Sequence, residues 1–188
     1  MTLISLQCLA MFLNKYKPKG RIGDFGGTSK IGSDIVKKML MLDRVTARQG
    51  APGPDLNIIL NGIPKKKILT EYIVLDYDNG VNLEKPIKGE KFDTGISMDL
   101  LEHTKNPFLV AKNISDSLKP GALLFVTVPF VWELHFHPVD CWRFCPQGLE
   151  ALFPDMKAIT IEIIRDQVPE EEIPRSRIVA IFKKKKGS

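Results

Sequence analysis

Glycines, carboxylates and imidazoles gather at three points of this 188-residue chain. The first is Gly23-Asp24-Phe25-Gly26-Gly27-Thr28, where a strand runs into a glycine turn. Glycines there let a ligand approach the backbone closely, and the helix that follows presents unpaired N–H groups. The second is Ser97-Met98-Asp99-Leu100-Leu101-Glu102-His103, which puts acids and a histidine directly after an apolar run. The third is Trp132 to Phe144, with His135, His137, Asp140, Trp142 and Arg143. In it His135 can take a proton from an attacking oxygen or nitrogen. Arg143 with Asp140 can orient the segment or grip an anion. His135-x-His137 has metal-ligand spacing but shows no third ligand, and Cys141-x-x-x-Cys145 has no second pair to complete a tetrahedral site. No metal is therefore expected.

Positioning these groups requires a sheet. Arg21 to Phe25 reads as a first strand, followed by a helix from Thr28 or Ser29 with Ile31, Ile35, Met39 and Leu42 on its apolar face. Residues 48–55 hold two prolines and two glycines and read as a loop. Leu56 to Leu60 is the expected second strand, ended by Asn61-Gly62, and Tyr72 to Leu75 the third, with Asp76 at its carboxyl end. Phe92 to Ile96 is the fourth. Asn106-Pro107 starts a helix whose apolar face is Phe108, Ala111, Ile114 and Leu118. Pro120-Gly121 stops it before a fifth strand, Leu123 to Val128. A short helix at Pro146 to Phe153 precedes two closing strands, Ala158 to Ile164 and Ile178 to Phe182, joined without room for a crossover helix. Seven strands alternating with helices predict an α/β fold, mostly parallel, with an antiparallel last strand and helices on both faces. Strand, helix and strand in this order form a crossover unit, and such sheets bind ligands at the carboxyl ends of their strands.

Composition narrows the function classes. The formal charge is +5, but Lys183 to Lys186 supply four of those charges; without them 23 basic residues face 22 acidic ones. A terminal lysine run reads as a solvated tail, so nucleic acid is not the expected partner. Three cysteines, Cys8, Cys141 and Cys145, do not make a disulfide framework, and a reducing cytoplasm fits. Met1 to Leu13 is apolar, lacks a basic start and falls short of the roughly 20 residues that span a bilayer. Its leucines at 3, 6, 9 and 13 recur at helical spacing. The expected organisation is a helix over 1–19 packing on the core, one domain over 20–182, and a basic tail over 183–188.

The run from Phe92-Asp93 to Leu101-Glu102-His103, followed by Leu118-Lys119-Pro120-Gly121, resembles the central half of class I S-adenosylmethionine-dependent methyltransferases of the type-11 group. In that family "FD…LEH" follows the fourth strand and "LKPGG" precedes the fifth. His135, Pro138, Asp140, Trp142, Arg143 and Phe144 are similar to an "H-x-x-P-x-D-x-W-R-F-T-P" segment of some members, with Cys145 in place of Thr. The glycine turn looks like a degenerate form of the family's first motif, D-x-G-x-G-x-G: Asp24 matches the acid and Gly26 the first glycine, while Thr28 replaces the next glycine.

The resemblance implies S-adenosylmethionine as cofactor, held by Asp24, Gly26, Gly27, Thr28, Ser97, Met98 and Asp99. The ribose acid falls either on Asn61, an amide without a charge-assisted pair, or on Asp76. It further implies a small-molecule acceptor under Trp132, His135, His137, Asp140, Trp142 and Arg143, with His135 the candidate base. Glu102 and His103 can instead pair to hold their loop. The worn glycine motif leaves a rival, a methyltransferase-fold binding or assembly module without catalysis. A nicotinamide oxidoreductase would need the G-x-G-x-x-G fingerprint, which is missing.

Overall fold

The computed structural model describes residues 3–26, 30–49, 58–64, 71–136, 139–165 and 175–187. Its elements run α1 (Leu3–Tyr16), β1 (Arg21–Phe25), α2 (Lys30–Leu40), β2 (Leu42–Gln49), β3 (Ile58–Pro64), β4 (Glu71–Leu75), β5 (Phe92–Met98), a 3-10 turn (Leu101–His103), α3 (Pro107–Asp116), β6 (Leu118–Val131), α4 (Pro146–Ala151), β7 (Met156–Arg165) and β8 (Ser176–Lys184).

Six strands form the main sheet in the order β4-β1-β5-β6-β8-β7. β4, β1, β5 and β6 pair in parallel, and β8 runs antiparallel to both its neighbours. The expectation of a mostly parallel sheet with an antiparallel final strand therefore describes it, but the expected count of seven does not. The missing strand is the second. Residues 58–64 pair with Leu42–Gln49 in a separate two-stranded antiparallel sheet. Leu42 opens β2 instead of continuing the helix, and Arg48 and Gln49 are strand instead of loop. Asn61 and Gly62 lie inside β3, opposite Thr46 and Val45, and do not end a strand. An apolar run of β-branched residues forms a strand wherever a partner is offered, and here the nearest partner is a local hairpin.

Side chains alternate across the main sheet with the period of two that a strand dictates. Ile22, Ile96, Met98 and Phe125 face α1 and α2, meeting Leu6, Leu9, Phe12, Leu13, Val36, Met39 and Leu40. Phe25, Leu124, Val126, Val128 and Phe182 face α3 and α4, meeting Val110, Ala111, Ile114, Leu149, Leu152 and Phe153. Each such Leu, Ile, Val or Phe contributes roughly 1.5–3 kcal/mol on burial. On α3 the buried face is Val110, Ala111 and Ile114; Phe108 is 61% exposed, contrary to its expected place in the core. The Asn106 side chain caps this helix, accepting from Leu109 N at 3.1 Å, with Pro107 at the first turn. Lys119 to Gly121 does not stand apart from the strand; it is an irregularity within β6, where the register moves from Phe92↔Leu118 to Thr94↔Leu123. β8 continues into the lysine run: Lys184 Nζ donates to Ser115 Oγ at 2.8 Å, and Lys185 Nζ donates to the Pro154 carbonyl at 2.8 Å. No described helix is long and apolar enough to cross a membrane.

Candidate functional site

β1 lies between β4 and β5, so the chain departs from it in both directions. In an open parallel sheet this switch point leaves a crevice outside the strands' carboxyl ends. A cleft of about 910 Å³ opens there. Its wall is built from the turn after each of four strands: Gly26 after β1, Asp76 and Tyr77 after β4, Asp99 and Leu100 after β5, and Trp132 and His135 after β6.

Each turn has a local cause. Gly26 adopts φ 73°, in the left-handed region that glycine tolerates, and its N–H donates to the Leu75 carbonyl at 2.8 Å. A Cβ there would stand 2.5 Å from Leu100 Cδ1, so this backbone is closely covered by the turn after β5. Asp76 Oδ1 accepts from Asn79 N at 2.8 Å and shapes the turn after β4. Asp99 has φ 50°, a conformation that a short polar side chain bears better than most. Its N–H donates to the Thr127 carbonyl at 2.9 Å. Its carboxylate accepts from Thr127 Oγ1 at 2.9 Å, Arg177 Nη1 at 3.0 Å and Ser5 Oγ at 3.3 Å. Arg177, only 2% exposed, also donates to Ser5 Oγ at 2.6 Å and lies 5.0 Å from the Trp132 ring. One buried guanidinium thus ties α1, the β5 turn and β8 to the aromatic roof of the cleft.

The roof is braced by ion pairs. Arg143 donates to both oxygens of Asp140, at 2.5 and 2.7 Å, and its Nη2 donates to the Glu133 carbonyl at 2.9 Å. The hydrogen bond from Arg143, helped by the His135 N–H at 2.8 Å, holds the Asp140 carboxyl well below the usual carboxylate range. His135 Nδ1 lies 3.1 Å from Asp140 Oδ2. The His103 and His135 rings meet edge to face at 4.9 Å, and Trp142 Nε1 donates to the Thr104 carbonyl at 2.9 Å. Beneath them Glu102 is fully buried, and neither carboxylate oxygen has a hydrogen-bond partner among the described residues. Burial, reinforced by Asp99, pushes its carboxyl well above the usual range.

The structure sorts the residues singled out by sequence. Gly26, Asp76, Asp99, Trp132 and His135 line the cleft. Asp140, Trp142 and Arg143 stand behind its roof and brace it. Ser97 and Met98 are buried at 1% and 4% exposure, as strand residues, and do not line the wall. Asp24 is 3% exposed, accepts a hydrogen bond from the Tyr72 hydroxyl and is likewise absent from the wall. Gly27, Thr28, His137 and the Asn61 side chain lie outside the described residues. Cys141 and Cys145 are exposed, and the Cys145 sulfur caps α4 by accepting from Gly148 N at 3.3 Å. Sequence reasoning missed Arg177 entirely. Arg177 precedes the expected last strand and follows Arg175 in a charged connection, which reads as surface, and only the distant Asp99 and Ser5 show otherwise.

The sequence matches no protein-family model and no curated protein. Solved structures do match. The [4+2]-cyclase SpnF superposes with TM-score 0.63 at 12% identity, over 97% of this chain and 80% of that one. N-methyltransferase NodS from Bradyrhizobium japonicum, in complex with S-adenosyl-L-homocysteine, gives 0.61 at 12% identity, over 97% and 86%. The 1,6-didemethyltoxoflavin-N1-methyltransferase of Burkholderia thailandensis, with 1,6-didemethyltoxoflavin and S-adenosylhomocysteine bound, gives 0.62 at 10% identity, over 98% and 80%. The chain has the α/β fold of the class I S-adenosylmethionine-dependent methyltransferases. At 8 to 15% identity these likenesses are of fold alone.

Proposed function

We propose that this protein transfers a methyl group from S-adenosylmethionine to a small-molecule acceptor. One observation carries the reading: the turns after β1, β4, β5 and β6 converge on a single cleft at the sheet's switch point. Its size suits a nucleoside thioether plus a small partner, since ligand pockets run to roughly 300–1,000 Å³. The cofactor would supply an electrophilic methyl on a sulfonium. The chain's own residues hold, align and exclude water, and alignment of this kind contributes roughly 7–11 kcal/mol.

β4, beside β1 in the sheet, takes the place that the family's second strand would occupy. Asp76, at its carboxyl end, is therefore the residue we assign to the ribose hydroxyls, in preference to Asn61, whose strand belongs to the other sheet. Gly26 lets the Leu100 side chain pack closely on the β1 turn, and Gly26 and Asp99 both line the cleft that would hold the cofactor. Trp132 and His135 face the acceptor side, where His135 can receive a proton if the acceptor carries one to lose.

Isothermal titration with S-adenosylhomocysteine tests the assignment. Wild-type protein is expected to bind it, and Asp76→Ala to bind it roughly 10- to 100-fold more weakly, since a hydrogen bond to a charged group is worth about 1.5–3 kcal/mol. An Asn61→Ala variant is expected to bind like wild type. The reverse pattern would restore Asn61 to the ribose site. The second reading, a binding module without catalysis, is favoured by Asp24, which is closed off by Tyr72 instead of facing the cleft. Absence of heat at millimolar ligand would select it. The match to a [4+2]-cyclase is a reminder that this fold hosts chemistry other than methyl transfer.

A further inference from the structure

The geometry points to a divalent transition-metal site formed by Glu102, His103 and His135 in the wall of the cleft. One ligating atom from each of the three lies within 4.8 Å of the others, and His103 Nε2 is 3.8 Å from Glu102 Oε1. Ligand atoms sharing one ion at about 2.0–2.2 Å stand roughly 3–3.5 Å apart, so small side-chain rotations close the site.

A second observation points the same way. Glu102 is fully buried, yet both its oxygens lack a hydrogen-bond partner among the described residues, and it lies in the cleft wall. A buried carboxylate left in that condition is costly unless a cation or a donor meets it.

Both imidazoles are also oriented as metal ligands are. His103 Nδ1 lies 2.6 Å from the Val139 carbonyl. A carbonyl only accepts, so Nδ1 carries a proton, and the other ring nitrogen, Nε2, is on the side of Glu102. His135 Nδ1 lies 3.1 Å from Asp140 Oδ2, and Asp140 is itself gripped by Arg143. A ligating histidine characteristically turns its other ring nitrogen to a backbone carbonyl or a carboxylate; His103 Nδ1 meets the Val139 carbonyl, and His135 Nδ1 meets the Glu133 carbonyl at 3.3 Å with the Asp140 carboxylate beside it. Two imidazoles and one carboxylate suit zinc, manganese, iron or cobalt better than magnesium or calcium. Three protein ligands leave a position open toward the cleft, the arrangement by which metals take an oxygen or nitrogen of a bound molecule. The site does not require that the cleft bind S-adenosylmethionine, but a metal on His135 takes the lone pair that a base would use, so the two roles of His135 are alternatives.

The test uses the full chain, stripped with a chelator and titrated with Co²⁺ by visible absorption and with Zn²⁺ by calorimetry. One equivalent is expected, with ligand-field bands and no thiolate charge-transfer band. Affinity should fall at least 10-fold in Glu102→Gln, in His103→Ala and in His135→Ala. His135 lies in the irregular segment between β6 and α4, so its variant keeps the test valid even where Glu102→Gln fails to fold; metal-free melting curves establish which variants are folded. Unchanged Zn²⁺ affinity in folded His135→Ala, thiolate bands that trace the ion to Cys141 and Cys145, or no heat at millimolar Zn²⁺ would each overturn the site.

Discussion

Replacing Arg177 with methionine will destabilise the protein by about 3–5 kcal/mol, the usual cost of removing one partner of a buried ion pair. Arg177 is 2% exposed, and its Nη1 serves both Asp99 Oδ1 and Ser5 Oγ. Methionine fills much of the same volume, so the loss is chiefly electrostatic. Asp99 retains Thr127 and Ser5 as donors but loses the guanidinium. Urea unfolding, read as a shift in midpoint at constant slope, measures the effect. The double variant Arg177→Met, Asp99→Asn should recover a large part of the loss, because no unpaired charge then remains. A single-variant cost below about 1 kcal/mol would show that water reaches this pair and that Arg177 is not the tie between α1 and the cleft.

Asp24→Asn will stabilise the protein at pH 8 and leave it unchanged near pH 3.5. Burial raises the Asp24 carboxyl from 3.8 to about 6, against the opposing hydrogen bond from Tyr72. In the unfolded chain the group ionises near its ordinary value. Below that value both states hold the proton, and the native state bears no penalty. As pH rises from about 4 to about 6, the unfolded state loses its proton first, and the native state becomes relatively less stable. A shift of about two pH units corresponds to ~3 kcal/mol, fully expressed above pH 7. Asparagine keeps an acceptor for the Tyr72 hydroxyl and never ionises. Chemical denaturation of both proteins at the two pH values isolates the term. An equal stability difference at pH 3.5 and pH 8 would mean that Asp24 does not ionise against a penalty in this strand.

How much could be read without coordinates depended on whether a feature was local. Helix α3 announces itself through Asn106-Pro107, because a cap and a proline act within one turn. Strand β6 was legible because both faces of a central strand are buried, leaving the apolar run Leu123 to Val128, and β1 and β5 through the turn residues that end them. Leu56 to Leu60 was legible as strand but not as to which sheet, and the strand described, Ile58–Pro64, runs on through Asn61-Gly62. Pairing is a choice between partners, and nothing inside the run distinguishes a distant parallel neighbour from a nearby antiparallel one.

The candidate site divides along the same line. The residue types were determined by sequence alone: Gly26 for a turn with positive φ, Asp76 and Asp99 at strand ends, His135 and the Asp140–Arg143 pair in the segment after β6. Local chemistry requires those types, and local spacing displays them. The tertiary structure decided which of them meet. It placed Asp76, not Asn61, beside β1, buried Asp24 against Tyr72, brought Arg177 from the last strand to Asp99, and set Glu102 and His103 against His135. Such contacts join residues far apart along the chain, and they exist only once the sheet has ordered its strands, because strand order is fixed by the summed packing of two apolar faces and not by any one residue.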